Sequence, residues 1–233
     1  MTTAIGAKPF DRSTTASAQR INRSLTATVE KRLLVWMAQR APRWLTSDQL
    51  TALGLAAQIA AGVCYSLTRW NHLWLLAVCL CIALNWLGDS LDGTLARVRQ
   101  QQRPRYGFYV DHMVDIFGSV ALMCGLAVSG LVHPQVAIAM LIAFLLLAAE
   151  SYLATHTLGC FQMSQGLFGP TEIRILLIVG NLALLRSPYS HLFGHTWLLF
   201  DVGGVSASVG MVLMALITTA RHTAELYRQE PLP

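Results

Sequence analysis

Long apolar stretches separated by short polar segments follow one another along most of the chain. A transmembrane helix needs roughly 20 mostly apolar residues, and six stretches approach or exceed that length: about 48–68, 73–97, 109–130, 134–157, 171–187 and 196–218. The pattern predicts an all-α fold, a polytopic membrane bundle of six transmembrane helices. The fifth stretch is the shortest and three glycines interrupt the sixth, so a miscount would fall there.

Ahead of the first stretch, residues 24–42 predict a basic amphipathic helix. Its apolar residues recur on one helical face: Leu25, Val29, Leu33, Trp36 and Met37. A helix of this kind lies in the headgroup region of a bilayer, and packing against the rest of the protein is the alternative. Thr46 and Gln49 have the spacing of a capping box, which predicts that the first transmembrane helix starts there.

The remaining segments complete the predicted domain organisation. Residues 1–23 are rich in Ser, Thr and Ala and lack an apolar core for a secretory signal, so we predict a mobile cytosolic tail. An organellar transit peptide has a similar composition and stays an alternative. Residues 43–221 form the predicted six-helix transmembrane domain, and residues 222–233 form a cytosolic C-terminal tail.

The positive charges predict how the bundle is oriented. Of the 17 Lys and Arg residues, only Arg69 and Arg186 fall in the connections that six spans place outside. Cytoplasmic loops carry the excess of Lys and Arg in membrane proteins. Both termini are therefore expected in the cytosol, and a bacterial cytoplasmic membrane is favoured over an organellar one.

Composition supports the membrane assignment and narrows the classes of function. The chain is 54% hydrophobic and 12% charged, about half the charged fraction of an average soluble domain. Its net charge of +5 does not indicate a nucleic-acid partner, because the basic residues stand at the ends of apolar stretches; membrane lipids are the expected partner. The cysteines are odd in number and lack metal-ligand spacing, so neither a disulfide framework nor a thiolate metal site is predicted.

Two pairs of aspartates stand on consecutive predicted transmembrane helices. Asp89 and Asp92 are three residues apart on the second helix, and Asp111 and Asp115 are four apart on the third, so each pair occupies one helical face. The short polar loop between the helices makes them antiparallel neighbours, and the pairs are expected to converge near the cytosolic end. Four carboxylates in one pocket repel one another unless they are protonated or bind cations, and all-oxygen ligands suit Mg²⁺ or Mn²⁺.

The acids belong to a longer pattern that also contains small and basic residues. Its fixed positions are Asp89, Asp92, Gly93, Ala96, Arg97, Gly107, Asp111 and Asp115. The pattern resembles the signature of the CDP-alcohol phosphatidyltransferase family, D-x2-D-G-x2-A-R-x8–9-G-x3-D-x3-D, at every fixed position. The six apolar stretches and the preceding amphipathic helix are also similar to that family.

The resemblance implies a phospholipid-biosynthetic transferase that moves a substituted phosphoryl group from a CDP-linked donor to an alcohol acceptor and releases CMP. Two divalent ions, Mg²⁺ or Mn²⁺, would be held by Asp89, Asp92 and Asp111, with Asp115 completing the metal site and acting as the catalytic base. The residues that would line the substrate pocket are Gly93, Ala96, Arg97 and Gly107.

Some neighbouring residues have two interpretations. Many family members read Pro-Asn-x-x-Thr where this chain reads Ser47-Asp48-Gln49-Leu50-Thr51, so Asp48 is not assigned to the site. Arg174, near the start of the fifth stretch, is placed to meet an anionic acceptor, and an internal interaction with Glu172 or a role at the helix end is the alternative. Arg99, Arg103 and Arg105 are interpreted as topology determinants.

Three functions stay open at this point. CDP-diacylglycerol with a small polar alcohol, such as glycerol 3-phosphate, serine or inositol, free or phosphorylated, is the first choice. A CDP-aminoalcohol donor with diacylglycerol as acceptor is the alternative, for which His112 after Asp111 is a weak indication. A cation or proton transporter would use the same carboxylates, but such sites lie near the bilayer midplane. A homodimer is retained among the expected partners.

Overall fold

The computed structural model describes residues 19–21, 27–158, 160–162, 170–192 and 194–230. The predicted N-terminal tail lies outside these ranges apart from residues 19–21. Residues 24–26 of the predicted amphipathic helix and the last three residues of the chain also lie outside them.

The described residues form seven helices and two small sheets. The helices are α1 Ala27–Arg40, α2 Ser47–Leu67, α3 Trp74–Val98, α4 Pro104–Val128, α5 Pro134–Leu158, α6 Pro170–Arg186 and α7 Leu199–Gln229. Strand β1 (Gln19–Ile21) pairs in parallel with β2 (Cys160–Gln162), and β3 (Tyr189–Leu192) pairs antiparallel with β4 (His195–Leu198). The predicted all-α bundle is confirmed, and the β3–β4 hairpin is an addition that the apolar pattern did not indicate.

Local sequence signals explain several helix starts. The Thr46 hydroxyl accepts a hydrogen bond from the Gln49 amide at 3.2 Å, and the Gln49 side chain accepts one from the Thr46 amide at 2.9 Å, so the predicted capping box of α2 is confirmed. Pro104, Pro134 and Pro170 are the first residues of α4, α5 and α6. Proline suits this position because its fixed φ is helical and its missing N–H would have no intrahelical partner.

Five of the helices in the described part of the chain are long and apolar enough to cross a membrane: α2, α3, α4, α5 and α7. Helix α6 has 17 residues, at the lower limit for a span, so the count of six spans stays a prediction. Helix α7 has 31 residues and continues to Gln229, which makes most of the predicted C-terminal tail helical.

Helix α2 lies between α3 and α4 and packs against both. Glycines permit the close approach: a Cβ on Gly62 or on Gly125 would overlap backbone atoms of the facing helix, and a Cβ on Gly88 would lie 2.6 Å from the carbonyl oxygen of Leu50. Small residues at such contacts let helix backbones come together inside a membrane. Around this unit, α5 packs against α4 and α7, and α6 packs against α3.

The alternating helix directions bring distant parts of the chain together at each end of the bundle. We call the end where α3 stops and α4 starts the motif end; the starts of α2 and α6 and the last turn of α5 lie there too. The other end, where α3 and α7 start and the β3–β4 hairpin lies, is called the hairpin end.

Helix α1 lies across the motif end with two different faces. Leu34 and Ala38 are buried against a cluster that includes Leu50 of α2 and Leu91 of α3. On another side of the helix, the apolar residues Val29, Leu33 and Trp36 are exposed. The helix therefore packs on protein with one face and presents an apolar stripe with the other, and its place in the headgroup region stays a prediction.

Candidate active site

An open groove of about 1660 Å³ lies at the motif end, walled by α1, α2, α3 and α4 and by the nearby ends of α5 and α6. Seven of the eight motif residues line it: Asp89, Asp92, Gly93, Ala96, Arg97, Gly107 and Asp111. Asp115 lies one helical turn further along α4, and its carboxyl group interacts electrostatically with Asp89, Asp92 and Asp111. The fold thus brings the predicted residues of α3 and α4 to one place.

Asp89 is held by an ion pair with a residue of α6. The Arg174 guanidinium donates to the Asp89 carboxylate at 2.6 Å and to the Asn85 side-chain oxygen at 2.9 Å. Asn85 in turn donates to the carbonyl oxygen of Gly54 at 3.0 Å. Arg174 thus lines the groove and pairs with an acid of the motif, and its contact with an anionic acceptor stays a prediction.

Asp92 is held by the first turns of α2. The Thr51 hydroxyl donates to one carboxylate oxygen of Asp92 at 2.5 Å, and the amide of Gly93 donates to the other. The Ser47 hydroxyl donates to the backbone carbonyl of Asp92 at 3.0 Å. These bonds form because α2 and α3 approach closely at Gly88, so the start of α2 reaches the acidic turn of α3.

The α4 acids face a polar aromatic residue of α5. Tyr152 interacts electrostatically with both Asp111 and Asp115. Its ring lies edge-on to the ring of His112, with the centroids 4.3 Å apart, and His112 Nδ1 lies 2.6 Å from the carbonyl oxygen of Phe108. His112 is buried, and it is absent from the groove lining that the described residues form.

The two glycines of the motif, Gly93 and Gly107, both line the groove. Gly107 lines the groove, and a Cβ placed on it would meet no atom of the described structure within 4 Å. Protein packing therefore does not require glycine at this position. Gly93 follows Asp92 in the same lining, with its amide bonded to that carboxylate.

The arginines at the mouth of the groove differ in what they contact. Arg97 lines the groove and donates to Thr94 at 2.9 Å. Arg103 forms an exposed ion pair with Asp48 across the mouth, and this hydrogen bond raises the pKa of the Arg103 guanidinium. Arg99 donates to the carbonyl oxygens of Ala41, Pro42 and Leu45, so it holds the segment between α1 and α2. The interpretation of these arginines as topology determinants stays a prediction.

Sequence reasoning missed the residues that hold the acids in place. Thr51 and Ser47 support Asp92, and Glu30 of α1 accepts hydrogen bonds from α3 and α6 beside the groove. Of these, only Thr51 carried a signal, as the last residue of the family's Pro-Asn-x-x-Thr segment. The contacts of Glu30 depend on how α1 lies on the bundle, which no spacing within the sequence reveals.

The donor set of the groove fits a hard divalent cation in its chemistry. Asp89, Asp92, Asp111 and Asp115 supply carboxylate oxygens from two facing helices, the ligands that Mg²⁺ and Mn²⁺ prefer. Their side chains do not surround a common point: within the described residues, no three acidic, histidine or cysteine side chains form a group that could hold an ion. Instead, Asp89 faces Arg174 and Asp92 faces Thr51.

Comparison with known proteins places this geometry in a family. Residues 44–222 match the profile of the CDP-alcohol phosphatidyltransferases. The crystal structure of the phosphatidylinositol phosphate synthase of Mycobacterium tuberculosis with CDP-DAG bound is similar at a TM-score of 0.51 and 21% identity, over 86% of this chain and 92% of that one. Its apo form gives a TM-score of 0.48 at 22% identity, over 84% and 93%.

The two kinds of comparison support different statements. At 21% identity, the likeness to the synthase shows a shared membrane fold. The profile match covers most of the chain and includes the whole motif, so it shows the family and with it the class of reaction, transfer of a phosphate-containing group in phospholipid synthesis. The chain belongs to the CDP-alcohol phosphatidyltransferase family.

Proposed function

We propose that the protein transfers the phosphatidyl group of CDP-diacylglycerol to a small polar alcohol and releases CMP. The observation that carries the proposal is the groove at the motif end, where three carboxylates, small residues and Arg97 line one open space. The synthase with the similar fold has CDP-DAG bound, which supports a CDP-linked lipid as the donor.

In this proposal, two Mg²⁺ or Mn²⁺ ions would be held by Asp89, Asp92, Asp111 and Asp115. When bound, such ions neutralise the pyrophosphate and stabilise the charge that develops on the leaving group. Asp115 takes the proton of the acceptor hydroxyl as general base. The acceptor oxygen then bonds to the phosphorus that carries the lipid, and the pyrophosphate P–O bond breaks with its electron pair leaving on CMP.

The residues around the acids bind the donor. Gly93, Ala96, Arg97 and Gly107 line the nucleotide pocket in this proposal. The open space at Gly107 supports this assignment, because a Cβ there would meet no atom of the described residues within 4 Å, which leaves room for a ligand. Arg97 presents a guanidinium at the same wall, a group suited to phosphate.

The acceptor enters from the α6 side of the groove. Arg174 lies there with its guanidinium on Asp89, and it offers a positive group to an acceptor that carries a phosphate or a carboxylate. Glycerol 3-phosphate, serine and inositol, free or phosphorylated, are the candidates. We place the groove at the cytosolic face of a bacterial membrane, since Lys and Arg are concentrated at the motif end.

Two alternatives are tested alongside. For a CDP-aminoalcohol donor with diacylglycerol as acceptor, the only indication was His112, which is buried beside Tyr152 and Phe108. A cation or proton transporter would need carboxylates near the bilayer midplane, whereas three of these acids line a groove at one end of the bundle. Both observations favour the phosphatidyltransferase.

The experiment uses the full chain, purified in detergent and returned to lipid nanodiscs. CMP release from labelled CDP-diacylglycerol is measured with each candidate alcohol, with Mg²⁺, with Mn²⁺ and with excess chelator. We expect release that needs both a divalent ion and one class of alcohol. Turnover only with CDP-aminoalcohols, or ion flux in liposomes without nucleotide, would contradict the proposal. The mass of the particle in nanodiscs tests the predicted homodimer.

A further inference from the structure

A single carboxylate oxygen of α1 joins two other helices at the edge of the groove. Glu30 Oε1 accepts hydrogen bonds from Trp86 Nε1 at 2.9 Å, from the Ser90 hydroxyl at 3.3 Å and from the Thr171 hydroxyl at 2.8 Å. Trp86 and Ser90 belong to α3, and Thr171 is the second residue of α6. One acceptor oxygen therefore links α1 to both α3 and α6.

The same two helices supply the ion pair in the groove. Ser90 is adjacent to Asp89 in α3, and Thr171 stands three residues before Arg174 in α6, on the same side of that helix. The Asp89–Arg174 pair at 2.6 Å therefore lies directly beside the Glu30 bonds. Any change in the spacing of α3 and α6 at the motif end would change how Arg174 meets Asp89.

Several residues at the start of α6 meet the rest of the bundle. Thr171 donates to Glu30, Arg174 donates to Asp89 and Asn85, and Glu172 is buried, while the helix as a whole packs mainly against α3. Helix α1 is fixed independently by Leu34 and Ala38, which are buried against α2 and α3. Glu30 stands one turn before Leu34 on the face that meets the bundle, so its carboxylate is presented to α6 from a fixed support.

We propose that Glu30 is a positioning residue for the transfer reaction: it fixes α6 against α3 and so sets Arg174 relative to Asp89 in the groove. The inference rests on the proposed function, because it assigns Glu30 a role in the same site. A positioning role requires an acceptor oxygen at residue 30, whereas a role in electrostatics requires the negative charge. Glutamine keeps the oxygen and loses the charge, and alanine loses both.

The test compares Glu30→Ala, Glu30→Gln and Thr171→Val in nanodiscs, with Glu225→Ala as the matched control. Glu225 lies on α7 outside the lining of the groove and accepts a hydrogen bond from Gln229 of its own helix. For Glu30→Ala we expect kcat to fall by about ten- to a hundred-fold, since small displacements of reacting groups cost this much. KM for CDP-diacylglycerol should change by less than about two-fold, because the donor contacts stay in place.

The variants distinguish the hydrogen bonds of Glu30 to α3 and α6, here called the Glu30 bridge, from a general structural role of the residue. Glu30→Gln should restore kcat to within about three-fold of the parent protein, and Glu30→Ala with Thr171→Val should be no worse than Glu30→Ala alone, because both remove one bridge. Hydrogen–deuterium exchange at residues 174–180 should rise in Glu30→Ala and Thr171→Val and stay unchanged in Glu225→Ala. The exchange result does not depend on turnover.

Three results would overturn the inference: parental kcat and exchange in Glu30→Ala, a Glu30→Gln protein as slow as Glu30→Ala, or an unfolding temperature that falls while kcat per folded molecule stays constant. A parent protein that releases no CMP from CDP-diacylglycerol would instead refute the proposed function. In that case the exchange comparison still decides whether Glu30 fixes α6.

Discussion

Glycines in the two halves of α4 have opposite surroundings. Toward the hairpin end, Gly125 lies against α2 so closely that a Cβ would overlap the backbone of Gly62. Toward the motif end, Gly107 lies beside open space. Glycine thus serves packing in one half of the helix and leaves clearance in the other.

Acidic residues differ between the two ends in the same way. At the hairpin end, Asp201 accepts bonds from the His133 amide at 2.8 Å and from its ring at 2.5 Å, and so ties the start of α7 to the connection before α5. At the motif end, Asp89, Asp92 and Asp111 line one groove, and their charges repel that of Asp115. Arg174 and Thr51 hold Asp89 and Asp92 in this groove, where the proposed reaction uses them.

The largest expected effect distinguishes a carboxylate of the proposed active site, Asp115, from a carboxylate that joins two segments of the chain, Asp201. Asp115→Asn should lower turnover by about 10²–10⁴-fold, the usual contribution of a general base, and should leave the unfolding temperature unchanged or higher, because one repelling charge is removed. Asp201→Asn is the matched control: turnover is retained, and stability falls by about 1 kcal/mol because a charged acceptor is lost. Turnover and thermal unfolding are measured on both proteins. Near-normal turnover in Asp115→Asn would refute its assigned role.

The next effect concerns the packed half of α4. Gly125→Ala should reduce stability by about 1–3 kcal/mol, the usual cost of overpacking, since the backbones of α2 and α4 must separate to admit the methyl group. Unfolding in detergent measures the loss, and kcat/KM per folded molecule should stay close to the parental value. If Gly125→Ala unfolds at the parental temperature, α2 and α4 are not held by this contact.

A smaller effect is expected where α2 supports the acidic turn of α3. Thr51→Val removes the hydroxyl that bonds Asp92 while keeping the shape of the side chain. Removal of a group that orients a metal ligand lowers metal affinity by about 10–100-fold. The Mg²⁺ concentration that gives half-maximal CMP release should therefore rise by the same factor. Thr51→Ser keeps the hydroxyl and should behave like the parent. Equal Mg²⁺ dependence in all three proteins would show that Thr51 does not support the site.

The sequence allowed the motif residues to be placed together because their spacing alone defines helical faces. Asp89 with Asp92, and Asp111 with Asp115, stand on one side of consecutive helices, and the short loop between α3 and α4 leaves few arrangements. The capping box at Thr46 was predictable for the same reason, since both partners lie within one turn.

Contacts between residues far apart in the sequence could not be predicted from the spacing of residues within one helix. Glu30 meets Thr171 across 141 positions and Thr51 meets Asp92 across 41, and each contact depends on how whole helices pack. Helix α6 was predicted as the fifth span from an apolar stretch of 17 residues, a length at the lower limit for crossing a bilayer. The β3–β4 hairpin has no long apolar pattern and was not expected.

The smallest expected effect completes the comparison within α4. Gly107→Ala makes the same change as Gly125→Ala on the same helix, but its methyl group enters the groove and contacts no described protein atom. We expect KM for CDP-diacylglycerol to rise about five-fold, close to 1 kcal/mol of lost binding. Stability should be unchanged or higher by about 0.4–1 kcal/mol, because alanine restricts the unfolded chain. Donor KM and thermal unfolding are measured together: an unchanged KM would remove Gly107 from the substrate pocket, and a lower unfolding temperature would make it a packing glycine like Gly125.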